Sequence, residues 1–301
     1  MTMTELNIDS FNLAAIDVGS NAARLLIKHV DIDVDGNRSL NKLLFLRIPL
    51  RLGMDVFGDG RISKDRGMEF LSAMKAYKQL MKVYHVRKYR ACATSAMRDA
   101  KNGKALMKRI KNKAHVNLEI ISGDEESGII YDNHLANLPS QGAFLYVDVG
   151  GGSTEISFIC NGQRIFGQSF NVGTIRLLKG KVKKNDLMAL KTEVTKVTSG
   201  YDNIKIIGSG GNINKLFRLA NKKKKLEALP VDVLHKLYDS LSKMSVEERM
   251  VAYELKPDRA DVIVPAAEIF LHVAASSKAK EIIVPNIGLA DGIINDLLLK
   301  N

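Results

Sequence analysis

The chain has 301 residues, of which 46% are hydrophobic and 26% are charged, as in globular proteins with a packed core. This length suffices for two ordinary domains, and the composition excludes a chain that is disordered throughout. The formal net charge of +12 predicts attraction to polyanions. The basic run Lys222–Lys225 has no interleaved aromatic residues and no base-reading motif is recognised, so a long anionic substrate is favoured over nucleic acid.

Signals for a membrane or for export are not evident. No apolar run approaches the length of a membrane span, and Met1–Phe11 has neither the basic start nor the apolar core of a signal peptide. Cys92 and Cys160 fall in predicted strands, where a small buried hydrophobe is favoured over a disulfide or a nucleophile. We therefore expect a cytoplasmic protein without membrane contact, and a homodimer is a further expectation.

The first predicted elements are three strands, at Phe11–Ile16, Arg24–Val30 and Leu43–Leu50. Small polar residues after Asp17, in the segment AAIDVGSNAARLLI, turn the chain between the first two. Hydrophobic residues at helical spacing then predict a helix that Ser63 caps and that runs to about residue 84. This order predicts an antiparallel sheet followed by a long helix.

The segment ATSAMRDA follows a short predicted strand, Tyr89–Ala93, and precedes another helix. A helix N-terminus favours anions, and Arg98 can offer two forked donors to phosphate oxygens. The alternative is structural: Thr94 or Ser95 caps the helix, and Arg98 pairs with Asp99 or another surface acid. The segment alone does not decide between them.

Three adjacent acids, Asp124, Glu125 and Glu126, come next, after a predicted strand at Asn117–Ile121. Acids at a helix start suit the helix dipole, so capping alone could explain all three. Glu125 and Glu126 point about 100° apart on a helix with roughly 3.6 residues per turn. At most one of them can therefore face a cleft comfortably.

The most informative stretch is Leu145–Ile159, LYVDVGGGSTEISFI, which predicts two strands around a glycine turn. Gly150, Gly151 and Gly152 let the backbone approach a ligand closely and point several N–H groups at one anion. Asp148 would repel a phosphate unless a divalent cation lay between them, so the pairing predicts Mg²⁺ or Mn²⁺. The alternative is a hairpin whose glycines serve the turn only.

The two turns are copies of one motif. Aligning Asp17 with Asp148 matches an apolar strand, Asp-Val-Gly, small polar turn residues and a second apolar strand. Such a repeat predicts two similar halves, whose facing hairpins would close on one phosphate chain, with the active site in the cleft between them. The repeat places the boundary near residue 137, which gives domains at 1–137 and 138–286.

Two further glycine-containing turns follow. Gly173, Thr174 and Arg176 begin a short predicted helix and offer another oxyanion contact. The segment GSGGN, residues 208–212, leads from a strand to a helix and could admit a phosphate or a nucleoside. Tight strand-to-helix turns also require glycine, so neither turn is specific alone. Arg259 begins an apolar predicted helix that Pro265 interrupts.

These motifs, in this order, resemble the exopolyphosphatase and guanosine pentaphosphate phosphohydrolase family of the actin-like ATPase superfamily. The resemblance covers nearly the whole chain and rests on IDVGSNAARLLI, ATSAMRDA, ISGDEESGIIY, VDVGGGSTEIS, VGTIRLL, IIGSGGN and PDRADVIVPAAEIF. It implies an α/β fold of two actin-like, ribonuclease H-like domains with an active-site cleft between them. It also implies that a final helix, within 287–301, returns to the first domain, and that water attacks a terminal phosphoanhydride bond.

The resemblance further implies roles for individual residues. Glu126 matches the general base that deprotonates or orients the attacking water. Asp148 matches the metal-associated acid of the second phosphate motif, Glu155 lies beside it, and Asp17 is the equivalent acid of the first motif. Together with the glycine turn, the predicted phosphate-binding residues are Ser20, Asn21, Arg98, Gly150, Gly151, Gly152, Ser153 and Arg259.

The chain departs from the family pattern at three places. Ser127 and Gly128 stand where an alanine and an arginine are common after the catalytic glutamate. Asn212 stands where threonine or serine is frequent. Ala290 and Asp291 replace a basic residue and a glutamate in the last motif. These departures affect what can be predicted about binding of the distal phosphate or of a nucleotide.

The leading functional hypothesis is an exopolyphosphatase that releases orthophosphate from inorganic polyphosphate. A guanosine pentaphosphate 5′-phosphohydrolase is the alternative of the same class, and it requires a nucleoside pocket for which GSGGN is the visible candidate. A phosphotransfer enzyme of the sugar kinase type would need a catalytic aspartate and a sugar-recognising insert, neither of which we identify. A non-hydrolytic polyphosphate or nucleotide sensor would be favoured if Glu126 pointed away from the cleft.

Overall fold

The structure is a computed structural model that describes residues 10–135, 141–221, 226–285 and 288–299. The basic run Lys222–Lys225 and the predicted boundary near residue 137 lie outside the described residues. The division of the chain at that residue therefore stays a prediction.

The first half contains strands and helices in mixed order. They are β1 (Phe11–Val18), β2 (Ala23–Ile32), β3 (Arg38–Ile48), α1 (Leu52–Asp59), α2 (Lys64–Val83), β4 (Val86–Ala93), α3 (Ser95–Asp99), α4 (Gly103–Ala114), β5 (Glu119–Ile120) and α5 (Gly123–Leu135).

The second half begins with another hairpin. Its elements are β6 (Ala143–Val149), β7 (Thr154–Cys160), β8 (Gln163–Phe170), α6 (Thr174–Leu178), α7 (Lys184–Thr198), β9 (Lys205–Ser209), α8 (Gly211–Ala220), β10 (Leu229–Pro230), α9 (Val231–Ser242), α10 (Val246–Tyr253), α11 (Pro257–Ala260), α12 (Ile263–Ser277), β11 (Glu281–Ile283) and α13 (Leu289–Leu299).

The two sheets repeat one topology. The first has the order β3-β2-β1-β4-β5, with β1–β2 and β2–β3 antiparallel and β1–β4 and β4–β5 parallel. The second has the order β10-β11-β9-β6-β7-β8, in which β8-β7-β6-β9-β11 reproduces the same five-strand pattern and β10 is added at the edge. The hairpin repeat in the sequence thus corresponds to a repeat of the α/β fold.

Each sheet has its own hydrophobic core, and a third cluster joins them. The joining cluster takes Leu13 and Leu26 from the first sheet, Tyr146 from the second, and Ile129 and Ile293 from α5 and α13. Both helices pack against each other, α13 also contacts β1, β2 and β4, and α5 also contacts β7 and β8. Burial of these apolar side chains holds the two sheets around a common cleft.

Local signals locate most elements well. Ser63 caps α2 as predicted, with its Oγ accepting from the Arg66 N–H at 3.3 Å. Helix α1 was not predicted, because it begins after Arg51, which has a φ of 54° and provides no side-chain cap. The helix predicted from Asp258 is interrupted before Pro265 and not at it, because α11 ends at Ala260 and α12 begins at Ile263. Pro265 lies in the first turn of α12, where its missing N–H removes no helical hydrogen bond.

The prediction that no apolar run approaches a membrane span needs correction. Among the described residues, the helical stretch Pro257–Ser277 has 21 residues and a mean hydropathy of 1.3, sufficient by length and composition alone to cross a bilayer. In the folded chain, 56% of its most apolar window is buried inside the protein. Burial of this kind is typical of a core helix, so the stretch is weak evidence for a membrane segment.

Candidate active site

The two predicted phosphate turns share a backbone hydrogen bond at equivalent positions. The Gly19 N–H donates to the Ala22 carbonyl at 3.1 Å, and the Gly150 N–H donates to the Ser153 carbonyl at 2.9 Å. Each turn joins the first two strands of its half of the chain and begins two residues after an aspartate. The sequence repeat is therefore also a repeat in three dimensions.

The two turns face each other across the middle of the molecule. A Cβ atom built on Gly151 would lie 2.8 Å from the Ser20 Cβ, closer than real side chains approach. Ser20 Oγ in turn lies 2.8 Å from Ser95 Oγ at the start of α3. The contact between the two halves thus requires glycine at position 151.

A cleft of about 390 Å³ lies between the sheets at these turns. It is lined by ten of the twelve residues predicted for the site, namely Asp17, Ser20, Asn21, Glu126, Asp148, Gly150, Gly151, Ser153, Glu155 and Arg259. Elements distant in the sequence therefore bring one set of acids and one set of phosphate-loop residues together.

The other two predicted residues, Arg98 and Gly152, do not line this cleft. Arg98 donates through Nη1 to the Ile121 carbonyl at 2.8 Å, whereas Asp99 pairs with Arg176. A Cβ on Gly152 would lie 2.3 Å from the Phe57 ring, so this glycine is needed for packing. Direct phosphate contact by Arg98 and Gly152 stays a prediction.

The first turn of α5 separates the two adjacent glutamates as expected. Glu126 lines the cleft with 8% of its surface exposed, and its Oε2 has no hydrogen-bond partner in the described part of the chain. Glu125 instead points to the surface and pairs with Arg90 at 2.6 Å, while Ser122 Oγ caps its N–H at 3.0 Å. Glu126 is thus the acid of this pair that can meet a substrate.

Burial and neighbouring acids raise the pKa of Glu126 well above its ordinary value. Burial is the largest cause, and Glu155, Asp148 and Asp17 act in the same direction, while Arg98 opposes them. The charged form of Glu126 is therefore costly in the protein alone, and a nearby cation would stabilise it.

The acids of the two turns have different cross-strand partners. In the first hairpin Asp17 lies opposite Arg24, and Arg24 Nη1 donates to Asp17 Oδ2 at 2.5 Å. In the second, Asp148 lies opposite Glu155. Burial first and Glu155 second raise the pKa of Asp148 to about 7. The negative charge is therefore largely neutralised by the protein at the first turn and not at the second.

Serine hydroxyls fix the orientation of Glu155. Its Oε1 accepts from Ser153 Oγ at 2.7 Å and from Ser169 Oγ at 2.8 Å. Burial nevertheless raises the pKa of Glu155, so these two donors do not fully compensate the loss of water.

These side chains fit a divalent cation bound together with phosphate. Within the described ranges, no three His, Cys, Asp or Glu side chains form a ready metal cage. Mg²⁺ rarely needs such a cage, because it keeps several waters and binds through one or two carboxylates plus substrate phosphates. Asp148 and Glu155, opposite each other with raised pKa values, supply that kind of incomplete, negatively charged set.

The raised pKa of Asp148 predicts an unusual pH dependence of stability in metal-free protein. The folded pKa, about 7, exceeds the ordinary value of 3.8, so between these values the folded state holds more protons than the unfolded state. The free energy of unfolding therefore falls as pH rises through this window. We expect the melting temperature in excess chelator to fall between pH 5 and pH 8, measured by calorimetry.

The matched control for this pH effect is Asp148→Asn, which removes the titrating group. Its melting temperature should depend less steeply on pH over the same range. Equal slopes in the two proteins would show that Asp148 does not titrate in this window.

Comparison with known proteins places these features in a family. The sequence model of the Ppx/GppA phosphatase family matches residues 32–301. The chain belongs to the Ppx/GppA phosphatase family. Solved structures agree: the Ppx/GppA family member from Aquifex aeolicus is 27% identical, with a TM-score of 0.76 over 97% of this chain and 98% of that one. An exopolyphosphatase from Cytophaga hutchinsonii, at 23% identity, shares the fold with a TM-score of 0.83 over 96% and 98% of the two chains.

Curated relatives of this Ppx/GppA chain match it in part. Exopolyphosphatase 2 of Mycobacterium tuberculosis is 32% identical over 171 residues, which are 55% of this chain and 53% of that protein. A bifunctional 3-dehydroquinate synthase/phosphatase of Fusobacterium nucleatum is 30% identical over 185 residues, which are 60% of this chain and 28% of that protein. The match thus spans about half of the first relative and about a quarter of the second.

The Ppx/GppA cleft also contains basic residues that the sequence analysis did not select. Arg24 and Arg47 lie opposite each other on β2 and β3, and both line the cleft with Lys42 and Arg218. Isolated cations in strands look like solvated surface residues, so nothing local marks them. Arg24 could have been found from the repeat, because it occupies the position of Glu155 in the second hairpin.

Arg259 lies at the meeting point of these cations. Its Nη1 donates to Asn212 Oδ1 at 2.6 Å. Burial, followed by the charges of Arg47 and Arg24, lowers the pKa of Arg259 to about 9. Mutual repulsion among the three arginines is relieved when an anion binds between them, so this part of the cleft favours a multiply charged ligand.

Acids on α11 and directly after it hold the two halves together beside this arginine cluster. Arg47 Nη2 lies 2.6 Å from Asp258 Oδ2, Asn21 Nδ2 donates to the Asp258 carbonyl at 3.0 Å, and Arg51 pairs with Asp261. Both ion pairs are largely shielded from solvent. The ion pairs connect β3 and the residue before α1 to α11, the helix that contains Arg259, and to the residue directly after it. The Asn21 hydrogen bond connects the first phosphate turn to the same helix.

The departures from the family pattern have structural counterparts. Ser127 Oγ lies 3.1 Å from Ser157 Oγ and accepts from Arg164 Nη2 at 3.0 Å, so a cation from β8 contacts α5. Asp291 pairs with Lys28 at 2.8 Å. Asn212 accepts the hydrogen bond from Arg259 described above.

Proposed function

We propose that this protein hydrolyses the terminal phosphoanhydride bond of inorganic polyphosphate and releases orthophosphate. The observation that supports it is the row of cations in the cleft that contains Glu126: Arg24, Arg47, Arg259, Arg218 and Lys42. Lys42 is five residues from Arg47 along β3, about 16 Å at roughly 3.3 Å per residue. Cations spread over such a length suit a chain of phosphates better than a single one.

In the proposed reaction, Glu126 orients a water molecule for in-line attack and takes up its proton. The water oxygen forms a bond to the terminal phosphorus while the bond to the bridging oxygen breaks, which leaves orthophosphate and a chain shorter by one unit. A base with a raised pKa accepts a proton readily near neutral pH, and this matches the direction found for Glu126.

The remaining groups of the cleft bind charge. The N–H groups of Gly151 and Ser153 make no hydrogen bond within the described part of the chain and are available to phosphate oxygens. Arg24 and Arg259 would neutralise further oxygens. Asp148 and Glu155 would hold Mg²⁺ or Mn²⁺, which when bound neutralises phosphate charge and polarises the P–O bond.

A second candidate is hydrolysis of guanosine pentaphosphate, favoured by an apolar patch in the same cleft. Phe45 is 52% exposed and lies opposite Leu26, and both line the cleft with Leu289 and Ala290. An exposed aromatic ring beside apolar side chains can stack on a nucleobase. This patch, rather than GSGGN alone, is the site that a guanosine moiety would require.

The deciding experiment measures phosphate release from polyphosphates of defined length and from guanosine pentaphosphate, side by side, with Mg²⁺ or Mn²⁺. We expect the higher kcat/KM with polyphosphate. A higher value with guanosine pentaphosphate would support the second candidate, and no release from either substrate would contradict both.

Substrate binding should also depend on the contact between the two turns. In Gly151→Val, the new Cβ atom would lie only 2.8 Å from the Ser20 Cβ, so the two turns must separate to admit the side chain. We expect a rise in KM for polyphosphate of about 10-fold or more, corresponding to about 1.4 kcal/mol. Steady-state kinetics on the folded variant tests this.

Gly58→Val is a suitable control for Gly151→Val. Gly58 lies on α1, and a Cβ there would meet no atom within 4 Å. Its KM should equal that of the unmodified protein. An unchanged KM in folded Gly151→Val would show that the second turn is structural only.

A further inference from the structure

Thr174 begins α6, the short helix whose backbone wraps the second phosphate turn. Its N–H donates to the Gly150 carbonyl at 3.0 Å, and the next N–H, of Ile175, donates to the Gly151 carbonyl at 2.8 Å. A Cβ on the preceding Gly173 would lie 2.4 Å from the carbonyl carbon of Gly152, so only glycine permits this approach. Thr174 is therefore held in a defined position against the turn.

The Thr174 hydroxyl is an exception among the buried hydroxyls of this region. The residue lines the cleft with 1% of its surface exposed, and its Oγ1 has no hydrogen-bond partner in the described part of the chain. Nearby, Ser153 Oγ donates to Glu155, and Thr154 Oγ1 donates to the Val172 carbonyl. Buried hydroxyls nearly always have a partner, so an unpaired one at a cleft wall indicates a partner that arrives with the ligand.

The chemistry of the unpaired group indicates what that ligand is. A hydroxyl can both donate and accept, whereas the other unpaired side-chain oxygens in the cleft, Asn21 Oδ1 and Glu126 Oε2, accept from water or another donor. Thr174 lies beside the glycine turn, whose Gly151 and Ser153 N–H groups have no partner among the described residues and can also donate to an acceptor. The shared ligand of these donors is an oxyanion.

We propose that Thr174 Oγ1 donates a hydrogen bond to an oxygen of the substrate phosphate bound at the second turn. This assignment rests on the proposed phosphoanhydride hydrolysis and adds a substrate-binding residue to it. The hydroxyl, which has no partner among the described residues, becomes paired when the phosphate binds.

The test compares Thr174→Val, which keeps the shape and removes the hydroxyl, with Thr174→Ser, which retains it. Polyphosphate affinity is measured calorimetrically in a Glu126→Gln background, where turnover is suppressed, and KM is measured with Glu126 intact. Hydrogen bonds to charged groups predict a rise in Kd and KM of about 10-fold or more for Thr174→Val. Thr174→Ser should stay within about threefold of the parent protein.

A structural role would give the opposite stability result. Because Thr174→Val removes an unpaired buried hydroxyl, the melting temperature of the ligand-free protein should be unchanged or higher. Thr198→Val is the matched control: Thr198 is also buried, but its Oγ1 already donates to the Val194 carbonyl at 2.7 Å on α7. That variant should bind polyphosphate normally. If Thr174→Val does not fold, Thr174→Ala serves as the second variant without a hydroxyl.

Three outcomes would overturn the assignment. Unchanged Kd and KM in Thr174→Val would show that water alone pairs the hydroxyl. The proposed function would not be affected by that result, provided that the unmodified protein hydrolyses polyphosphate. A lower melting temperature together with weaker binding, not rescued by the hydroxyl of Thr174→Ser, would indicate a structural role. Absence of polyphosphate binding by the unmodified protein would contradict the proposed function itself and this assignment with it.

Discussion

Replacing Glu126 with glutamine should lower turnover on polyphosphate about 10²- to 10⁴-fold, the range typical of a lost general base. The amide retains the shape of the side chain but cannot take the proton of the attacking water. It also removes a negative charge from a group that is largely buried among Glu155, Asp148 and Asp17. Affinity for polyphosphate should therefore persist or rise. Single-turnover kinetics would measure the loss of turnover, and a separate binding measurement would test whether affinity is retained.

Glu125→Gln is the internal control, because Glu125 lies next in sequence but faces away from the cleft. It loses an exposed ion pair with Arg90, which typically contributes about 0.2–1 kcal/mol to stability. Turnover at saturating substrate should be unchanged. Loss of activity in Glu125→Gln with retention in Glu126→Gln would mean that the family match must shift by one residue.

Removal of divalent metal should abolish turnover, and Mg²⁺ or Mn²⁺ should restore it. The physical reason is that Asp148 and Glu155 lie opposite each other at the phosphate turn. Burial raises the pKa of both, and the charge of Glu155 raises that of Asp148 further. A polyanion would add further repulsion unless a cation intervened. Undiminished activity in excess chelator, after the protein has been stripped, would remove the metal from the mechanism.

Mn²⁺ binding followed by electron paramagnetic resonance would identify which acids hold the ion. We expect Asp148→Asn to weaken Mn²⁺ binding more than Asp17→Asn, because Asp17 is already paired with Arg24 at 2.5 Å. The opposite ranking would place the metal at the first hairpin. Both residues remain predicted ligands until this measurement is made.

Several features follow from short-range chemistry and could be predicted from the sequence. The two glycine turns, the cap of α2 at Ser63, and the different directions of Glu125 and Glu126 depend on neighbours within a few residues. Their steric and hydrogen-bonding requirements are visible in the residue types themselves. The repeat of one hairpin then predicted two similar halves, and the paired sheets have that topology.

Other features required the folded chain, because they depend on which surfaces meet. Arg98 has a side chain suited to binding phosphate, yet its guanidinium donates to the Ile121 carbonyl, and neither residue lines the cleft. Gly152 resembles its neighbours in the turn but packs against Phe57. Arg47, which no local pattern marks, lies in the cleft because β3 pairs with β2 at Arg24.

The order of residues along the chain was thus enough to locate the repeated phosphate turns and their acids, and the resemblance to the family selected Glu126 over Glu125 as the catalytic candidate. The convergence of cations on these groups, and the Thr174 hydroxyl that is left without a partner in the described part of the chain, became visible in the folded protein. The two groups of features differ in how far apart along the chain the interacting residues lie. A turn or a cap is set by sterics and hydrogen bonds between near neighbours, whereas burial, repulsion and unpaired polar groups arise when segments far apart in the chain are packed together.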